Sequence, residues 1–483
     1  MGDDICVLLA SSEATPLAQT GGLAEVAGSL PQALTRAGLP SLTIIPGYTQ
    51  AIKKGDFSPA CPELSVSLGP DQVPFTLLKG ELPQGGAVYL IRNDAFFDRP
   101  HLYGEGRLSY EDNPERFAFF SKAVVASLPY LERKPDILLA NDWQTGLIMP
   151  LLLEAGPDAP KGVFVIHNQG FLGLAPTTVA DVIGLPDGYY GVEGLEYYGQ
   201  LSFLKAGIVY SKAVVTVSPS YAKEILTPEG GNGLDGVLRR YSGKLSGIIN
   251  GVDHNQWNPQ TDPYIPRNYS STDLSGKAVC KNTLKSRLQL RPSNRPLFGM
   301  VSRLTAQKGF SLIVEGAQEI FKLGLDLVIL GTGEPWFEKQ LTEMVEKYPD
   351  NMRLLLDFDI PLSHKVIAAS DFSLVPSLYE PCGLIQLYSL RYGTIPVVRA
   401  IGGLNDTVRD YAGQNPDGLW DSGFKFSQFQ AGALVRAIRR ATELYNRKED
   451  FTTMAKSDME EDFSWNRSAK DYAKLFESVL KGD

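Results

Sequence analysis

The sequence has no run of ~20 apolar residues of the length that spans a bilayer, so no membrane-crossing helix is expected. Cysteine is scarce. Cys6, Cys61, Cys280 and Cys382 are scattered without metal-ligand spacing, which argues against a zinc cluster or a disulfide framework and fits a reducing compartment. A basic excess is also missing. Lys and Arg number 46 against 55 Asp and Glu, and the net charge of −9 argues against nucleic acid or an anionic membrane as partner. Any anionic ligand must therefore be met by local basic residues. The opening Met-Gly-Asp-Asp-Ile lacks a basic n-region and reads as no signal peptide. Low-complexity segments are absent.

The 483 residues suffice for two or three domains, and 43% hydrophobic with 21% charged content is that of a soluble globular protein. Short apolar runs alternate with amphipathic patterns. Ile5–Ala10, Leu42–Ile45, Ala87–Ile91, Ile137–Ala140, Val163–Ile166 and Ala213–Val217 read as buried parallel strands. The pattern restarts at Leu297–Val301, Leu325–Leu330, Met352–Leu356, Phe372–Val375 and Ile395–Val398. The expected fold class is α/β, with two Rossmann-like doubly wound domains facing across a deep cleft. The boundaries fall at 1–255, 256–460 and a C-terminal helix, 461–483, free to pack back on the first domain. The segment 258–276, rich in Pro, Asn, Ser, Thr and Asp, reads as the linker.

The stretch from Pro376 to Thr407 is the most informative. An apolar strand runs into Glu380-Pro381-Cys382-Gly383-Leu384, and a helix is expected from Pro381, which suits a first helical turn. The N–H groups of Cys382, Gly383 and Leu384 would then form an anion site, with Glu380 beside them and Tyr388 in the helix behind. A phosphorylated sugar fits such a pairing of donors and carboxylate. Val301-Ser-Arg303-Leu-Thr-Ala-Gln-Lys308-Gly309 follows another strand, and an Arg with a Lys suits a diphosphate. Gln19-Thr-Gly21-Gly22-Leu follows the first strand, where glycines admit close ligand approach. It echoes Ile401-Gly-Gly-Leu, and the two read as comparable places in their domains. Asp142, His167 and Asn250 each close a strand. The bland alternatives are a turn, a cap, a structural histidine and solvated charges. Aromatics in Arg92–Tyr103 suit either sugar stacking or packing. Cys382 has no histidine partner that would make it a nucleophile.

Taken together, these motifs resemble the bacterial glycogen synthases and plant starch synthases, retaining glucosyltransferases of GT-B fold. Tyr110-Glu-Asp-Asn113-Pro-Glu-Arg116, Glu196-Tyr-Tyr-Gly199-Gln, Val217-Ser-Pro-Ser-Tyr221, Gly247-Ile-Ile-Asn250-Gly-Val-Asp253 and Glu380-Pro-Cys-Gly-Leu384 carry the resemblance over nearly the whole chain. It implies transfer of glucose from a nucleotide-glucose, ADP-glucose in most such enzymes and UDP-glucose in the alternative, to an α-1,4-glucan or malto-oligosaccharide. No cofactor or metal is implied, and the location implied is cytoplasmic, or plastid if a transit segment was removed. Arg303 and Lys308 would bind the diphosphate, with Gly21 and Gly22 facing the same phosphates. Glu380 would contact the glucose, His167 and Asn250 its hydroxyls, Asp142 the transferred sugar and acceptor, and Phe358 the base. One departure stands out: Gln19 occupies the place of the family's usual lysine, and Gln cannot neutralise a phosphate. A second reading therefore follows, a glucan-binding or scaffolding homologue with reduced or lost transferase activity. A glucan phosphorylase shares the fold, but this chain is short for that family and shows no convincing lysine for its cofactor.

Overall fold

The computed structural model describes residues 5–82, 85–106, 108–357, 359–412 and 421–482. The chain divides into two compact units, Met1–Gly251 with Trp465–Asp483, and Val252–Ser464. Among the described residues no helix is long and apolar enough to cross a membrane.

In the first unit the apolar runs form parallel strands: β1 (Val7–Ala10), β2 (Ser41–Pro46), β3 (Ala87–Arg92), β4 (Ile137–Asn141), β5 (Lys161–Ile166), β6 (Ala213–Thr216) and β7 (Leu245–Gly247). Their order is β3-β2-β1-β4-β5-β6-β7, and an antiparallel hairpin, Leu64–Leu68 with Asp71–Glu81, extends the β3 edge. Burial on both faces explains why the strands read as continuous apolar runs rather than alternating ones. The order reverses at β1 and β4, whose carboxyl ends stand level through the pair Ala10↔Ala140. Connections leaving these two strands diverge there, which opens a crevice. The helix Gly22–Arg36 leaves β1 with Leu23, Val26, Leu30 and Leu34 buried. The helix Trp465–Lys481 packs on it, burying Trp465, Ala469, Tyr472 and Phe476 at helical spacing, and Ser468 Oγ donates to the Ile249 carbonyl at 2.6 Å.

The motif around Tyr110–Arg116 is structural. The Arg116 guanidinium is fully buried and donates to the carbonyls of Phe96 and Leu102 and to Asn113 Oδ1. It thereby holds the loop that contains the aromatics Phe96, Phe97 and Tyr103.

The second unit repeats the plan with β8 (Leu297–Val301), β9 (Asp326–Leu330), β10 (Met352–Leu355), β11 (Phe372–Val375), β12 (Ile395–Arg399) and β13 (Phe424–Phe426). Their order, β10-β9-β8-β11-β12-β13, reverses at β8 and β11. Two sequence expectations need correction. The segment 258–276 is no free linker: Ile265 and Tyr269 lie in a core cluster of this unit with Trp257, because their apolar area outweighs the turn-rich composition around them. The Gly-Gly-Leu echo is not topological either. Gly21 and Gly22 follow β1, whereas Gly402 and Gly403 follow β12; the counterpart of the first loop is Arg303–Gly309 after β8.

Asp326 opens β9 with no exposure and accepts from Lys285 Nζ at 2.7 Å, Asn351 Nδ2 at 3.0 Å and Ser293 Oγ at 3.2 Å. Removing one partner of such a buried pair strands the other. Asp326→Ala should cost about 3–5 kcal/mol, read as a lowered denaturant midpoint of the second unit's transition. An unchanged midpoint would mean that Lys285 finds other partners.

Candidate active site

Glu13 follows β1 and is buried. Its carboxylate accepts the Thr20 N–H at 2.5 Å and Thr20 Oγ1 at 2.9 Å, which ties down the loop bearing Gln19, Gly21 and Gly22. Burial pushes its pKa up to about 7, against the opposing pull of these hydrogen bonds. Gly21 has an extended φ of −163°, and a Cβ there would meet nothing within 4 Å. Neither strain nor packing within the chain asks for glycine at that point. Gln19 Nε2 donates to Glu25 Oε1 at 3.3 Å.

Asp142 stands after β4 with φ 58° and ψ 179°, a region that residues other than glycine rarely enter. Its Oδ1 accepts the main-chain N–H groups of His167 at 2.7 Å and Asn168 at 3.4 Å. Burial raises its pKa to about 7, and the nearby Glu13 charge adds to the rise. His167 Nε2 lies 2.9 Å from Asn141 Oδ1, and burial lowers the ring's pKa to about 3. Asn250 is 6% exposed, and its Oδ1 is buried without a hydrogen-bond partner among the described residues. The structure thus joins Asp142 directly to the backbone of His167, beside the Glu13–Thr20 anchor.

In the second unit, Lys308 Nζ lies 2.6 Å from Glu380 Oε2, which also accepts from Ser377 Oγ at 2.9 Å. The loops after β8 and β11 are laced together. Leu378 N–H donates to the Gln307 carbonyl at 2.7 Å, and Gln307 Nε2 donates to the Tyr379 carbonyl at 3.1 Å. Gly402, at φ 46°, abuts the same loop; a Cβ there would sit 1.9 Å from the Glu380 carbonyl oxygen. Arg303 is exposed and pairs with no described residue. Glu380 is already matched by Lys308, so Arg303 is surplus positive charge.

The helix after β11 begins at Ile385, not at Pro381. Gly383, at φ 73°, turns the chain, and Gln386 Nε2 donates to the carbonyls of Cys382 and Gly383, both at 2.9 Å. This local capping delays the helix beyond the position the proline suggests. The N–H groups of Gly383 and Leu384 have no acceptor among the described residues. Cys382 is buried. Tyr388 is buried too, its ring stacked on Trp257 at 3.8 Å. Phe358 lies outside the described residues. Among the described residues no group of three or more His, Cys, Asp or Glu is placed to hold a metal ion. Sequence reasoning missed Glu13 and Ser377, each a single polar residue with no periodicity or spacing to flag it, and took Asn141 only as part of the strand-end cluster Asn141-Asp142-Trp143-Gln144.

Residues 6–240 match the family described as starch synthase catalytic domain, and residues 283–458 match glycosyl transferases group 1. The chain is 41% identical to a glycogen synthase of Desulfatibacillum aliphaticivorans over 98% of its own length and 99% of that protein. It is 42% identical to a glycogen synthase of Rhodospirillum rubrum over 99% of each. The catalytic domain of starch synthase IV from Arabidopsis thaliana, solved with ADP and acarbose bound, matches at a TM-score of 0.91 and 33% identity, covering 99% of this chain and 100% of that one. A sucrose-phosphate synthase from Thermosynechococcus elongatus shares the fold at a TM-score of 0.59 and 17% identity, covering 99% of this chain and 100% of that one.

The carboxyl of Asp142 titrates near 7 in the folded protein and near 3.8 when unfolded, so the folded state holds the extra proton between those values. Its burial costs stability above pH ~7, and that cost fades as pH falls toward ~4. The stability advantage of Asp142→Asn over the wild type should be on the order of a few kcal/mol at pH 8 and shrink by pH 5. A difference in unfolding free energy that is flat with pH would contradict this environment.

Proposed function

Because the chain belongs to the glycogen and starch synthase family of GT-B glycosyltransferases, we propose that it lengthens an α-1,4-glucan with glucose from ADP-glucose. Transfer is to the non-reducing end with retention of configuration. The observation that carries this reading is the loop pair after β8 and β11. There Arg303 and the N–H groups of Gly383 and Leu384, none with a partner among the described residues, and Lys308 accompany a buried carboxylate, Glu380. The ADP and acarbose in the Arabidopsis enzyme support a nucleotide-sugar donor and a glucan acceptor. The bacterial relatives support a cytoplasmic setting.

In this reading Arg303 and Lys308 hold the donor diphosphate and stabilise the negative charge that grows as the glycosidic C–O bond breaks. Lys308 also fixes Glu380, whose remaining lone pairs accept from glucose hydroxyls. Gly21 keeps its backbone open to close ligand approach. Asn250 Oδ1, buried and without a partner among the described residues, gains one when a hydroxyl arrives. Neither carboxylate is set up as a nucleophile. Glu380 is engaged by Lys308 and Ser377, and Asp142 holds two main-chain N–H groups through Oδ1. That favours the same-face route, in which the bond from the anomeric carbon to the phosphate oxygen breaks, the acceptor 4-hydroxyl oxygen bonds to that carbon, and the departing phosphate oxygen takes the hydroxyl proton. Gln19 gives the first loop no cation, and in the second unit Arg303 and Lys308 supply the positive charge for the donor.

Incubation with glycogen and labelled ADP-glucose or UDP-glucose tests the reading. Label should enter glycogen, faster from ADP-glucose, and be released by an exo-acting α-1,4-glucanase. Absence of transfer from both donors with glycogen binding retained would overturn it. Arg303→Ala should lower kcat by about 10²–10³-fold with the fold intact; near-normal turnover would misplace the diphosphate. Gln19→Lys should lower the donor KM, and an unchanged KM would mean that a different group supplies that charge.

A further inference from the structure

The amide that ends β4 has only one workable orientation. Asn141 is 1% exposed, and its Nδ2 donates to the Ala10 carbonyl on β1 at 3.0 Å and to the Leu139 carbonyl on its own strand at 3.2 Å. Turning the amide over would set Oδ1 against two carbonyl oxygens, none of which has a hydrogen to give. Oδ1 therefore faces His167 Nε2 at 2.9 Å, and an amide oxygen only accepts. The hydrogen between them must belong to the imidazole. Burial keeps that ring neutral at physiological pH. Its other nitrogen, Nδ1, then carries a lone pair, and it bonds to no described residue.

We propose that Asn141 is a positioning residue that locks His167 as the Nε2–H tautomer, so that the bare Nδ1 accepts a hydrogen bond from a hydroxyl of the transferred glucose. The sugar contact rests on the function proposed above, while the tautomer rests on the hydrogen-bond geometry and the burial of the ring. Asp142, the titratable group in contact with His167, takes its main-chain N–H rather than the ring, so it does not compete for either ring nitrogen. Glu13 and Tyr103 interact with Asp142, not with the imidazole. An acceptor-only nitrogen at this point discriminates for a hydroxyl and against hydrogen or fluorine in its place, because neither can donate.

The protein has only four histidines, so ¹⁵N-histidine labelling and a long-range ¹H–¹⁵N spectrum resolve the ring, with His167→Gln identifying its signals. The ligand-free wild type should show one ring with Nε2 protonated and Nδ1 bare, unchanged from pH 8 to pH 5. An Nδ1–H ring, a tautomer mixture, or protonation above pH 6 would overturn the proposal without any use of substrate. In Asn141→Ala the ring should become a tautomer mixture. The loss of kcat/KM that one monodeoxy-glucosyl donor shows against ADP-glucose in the wild type should shrink by about tenfold in that variant. A single Nε2–H ring persisting in Asn141→Ala would remove Asn141 from the role. A wild type with the expected tautomer but equal kcat/KM for all monodeoxy donors would overturn the sugar contact, while glycogen labelling still judges the transferase reading separately.

Discussion

Reversal of strand order is the constraint on which both halves of the protein depend. In each unit, successive connections leave the first and fourth strands in opposite directions, β1 and β4 in one, β8 and β11 in the other. The carboxyl ends of those strands are left uncovered by helices, and the polar residues that follow them need not be buried in apolar surroundings. Most of the residues singled out as chemistry lie at these strand ends or one strand farther out; Asn250 follows the edge strand β7. The amide of Asn141 spans the first reversal, donating to β1 and its own strand and receiving from the residue after β5.

The two crevices differ in electrostatic character. In the second unit the carboxylate of Glu380 is balanced by Lys308, and Arg303 remains as net positive charge beside unclaimed N–H groups. In the first unit burial works against charge. Glu13 and Asp142 are driven to pKa values of about 7, and His167 to about 3, so near-neutral acceptors and donors dominate. A cationic set suits a diphosphate, and a nearly neutral set suits sugar hydroxyls, whose hydrogen bonds need direction more than charge.

Much of this is legible in the sequence, for identifiable reasons. Strands buried on both faces leave continuous apolar runs, and the interior ones lie within a residue or two of where those runs place them. The edge strands Leu245–Gly247 and Phe424–Phe426 are three residues each, too short to stand out from neighbouring turns. Pro381 suggested a helix start that Gly383 and Gln386 postpone, since positive φ and side-chain capping are set by tertiary packing against Gly402 and Gly403. Tyr388 shares a helix face with functional positions but is held by Trp257, a partner more than a hundred residues away. Glu13 was invisible, and Asn141 stood out only as a member of a strand-end cluster, because an isolated polar residue acquires meaning only through what it touches.

The central claim is that Arg303 and Lys308, with the turn at Gly383 and Leu384, form a diphosphate site. The most direct measurement is a crystal structure of the protein with ADP. The account predicts phosphate oxygens at ~2.7–3.2 Å from the Arg303 guanidinium, the Lys308 ammonium and at least one of those two N–H groups. Phosphates bound elsewhere, with the Lys308–Glu380 pair and Arg303 untouched, would contradict it.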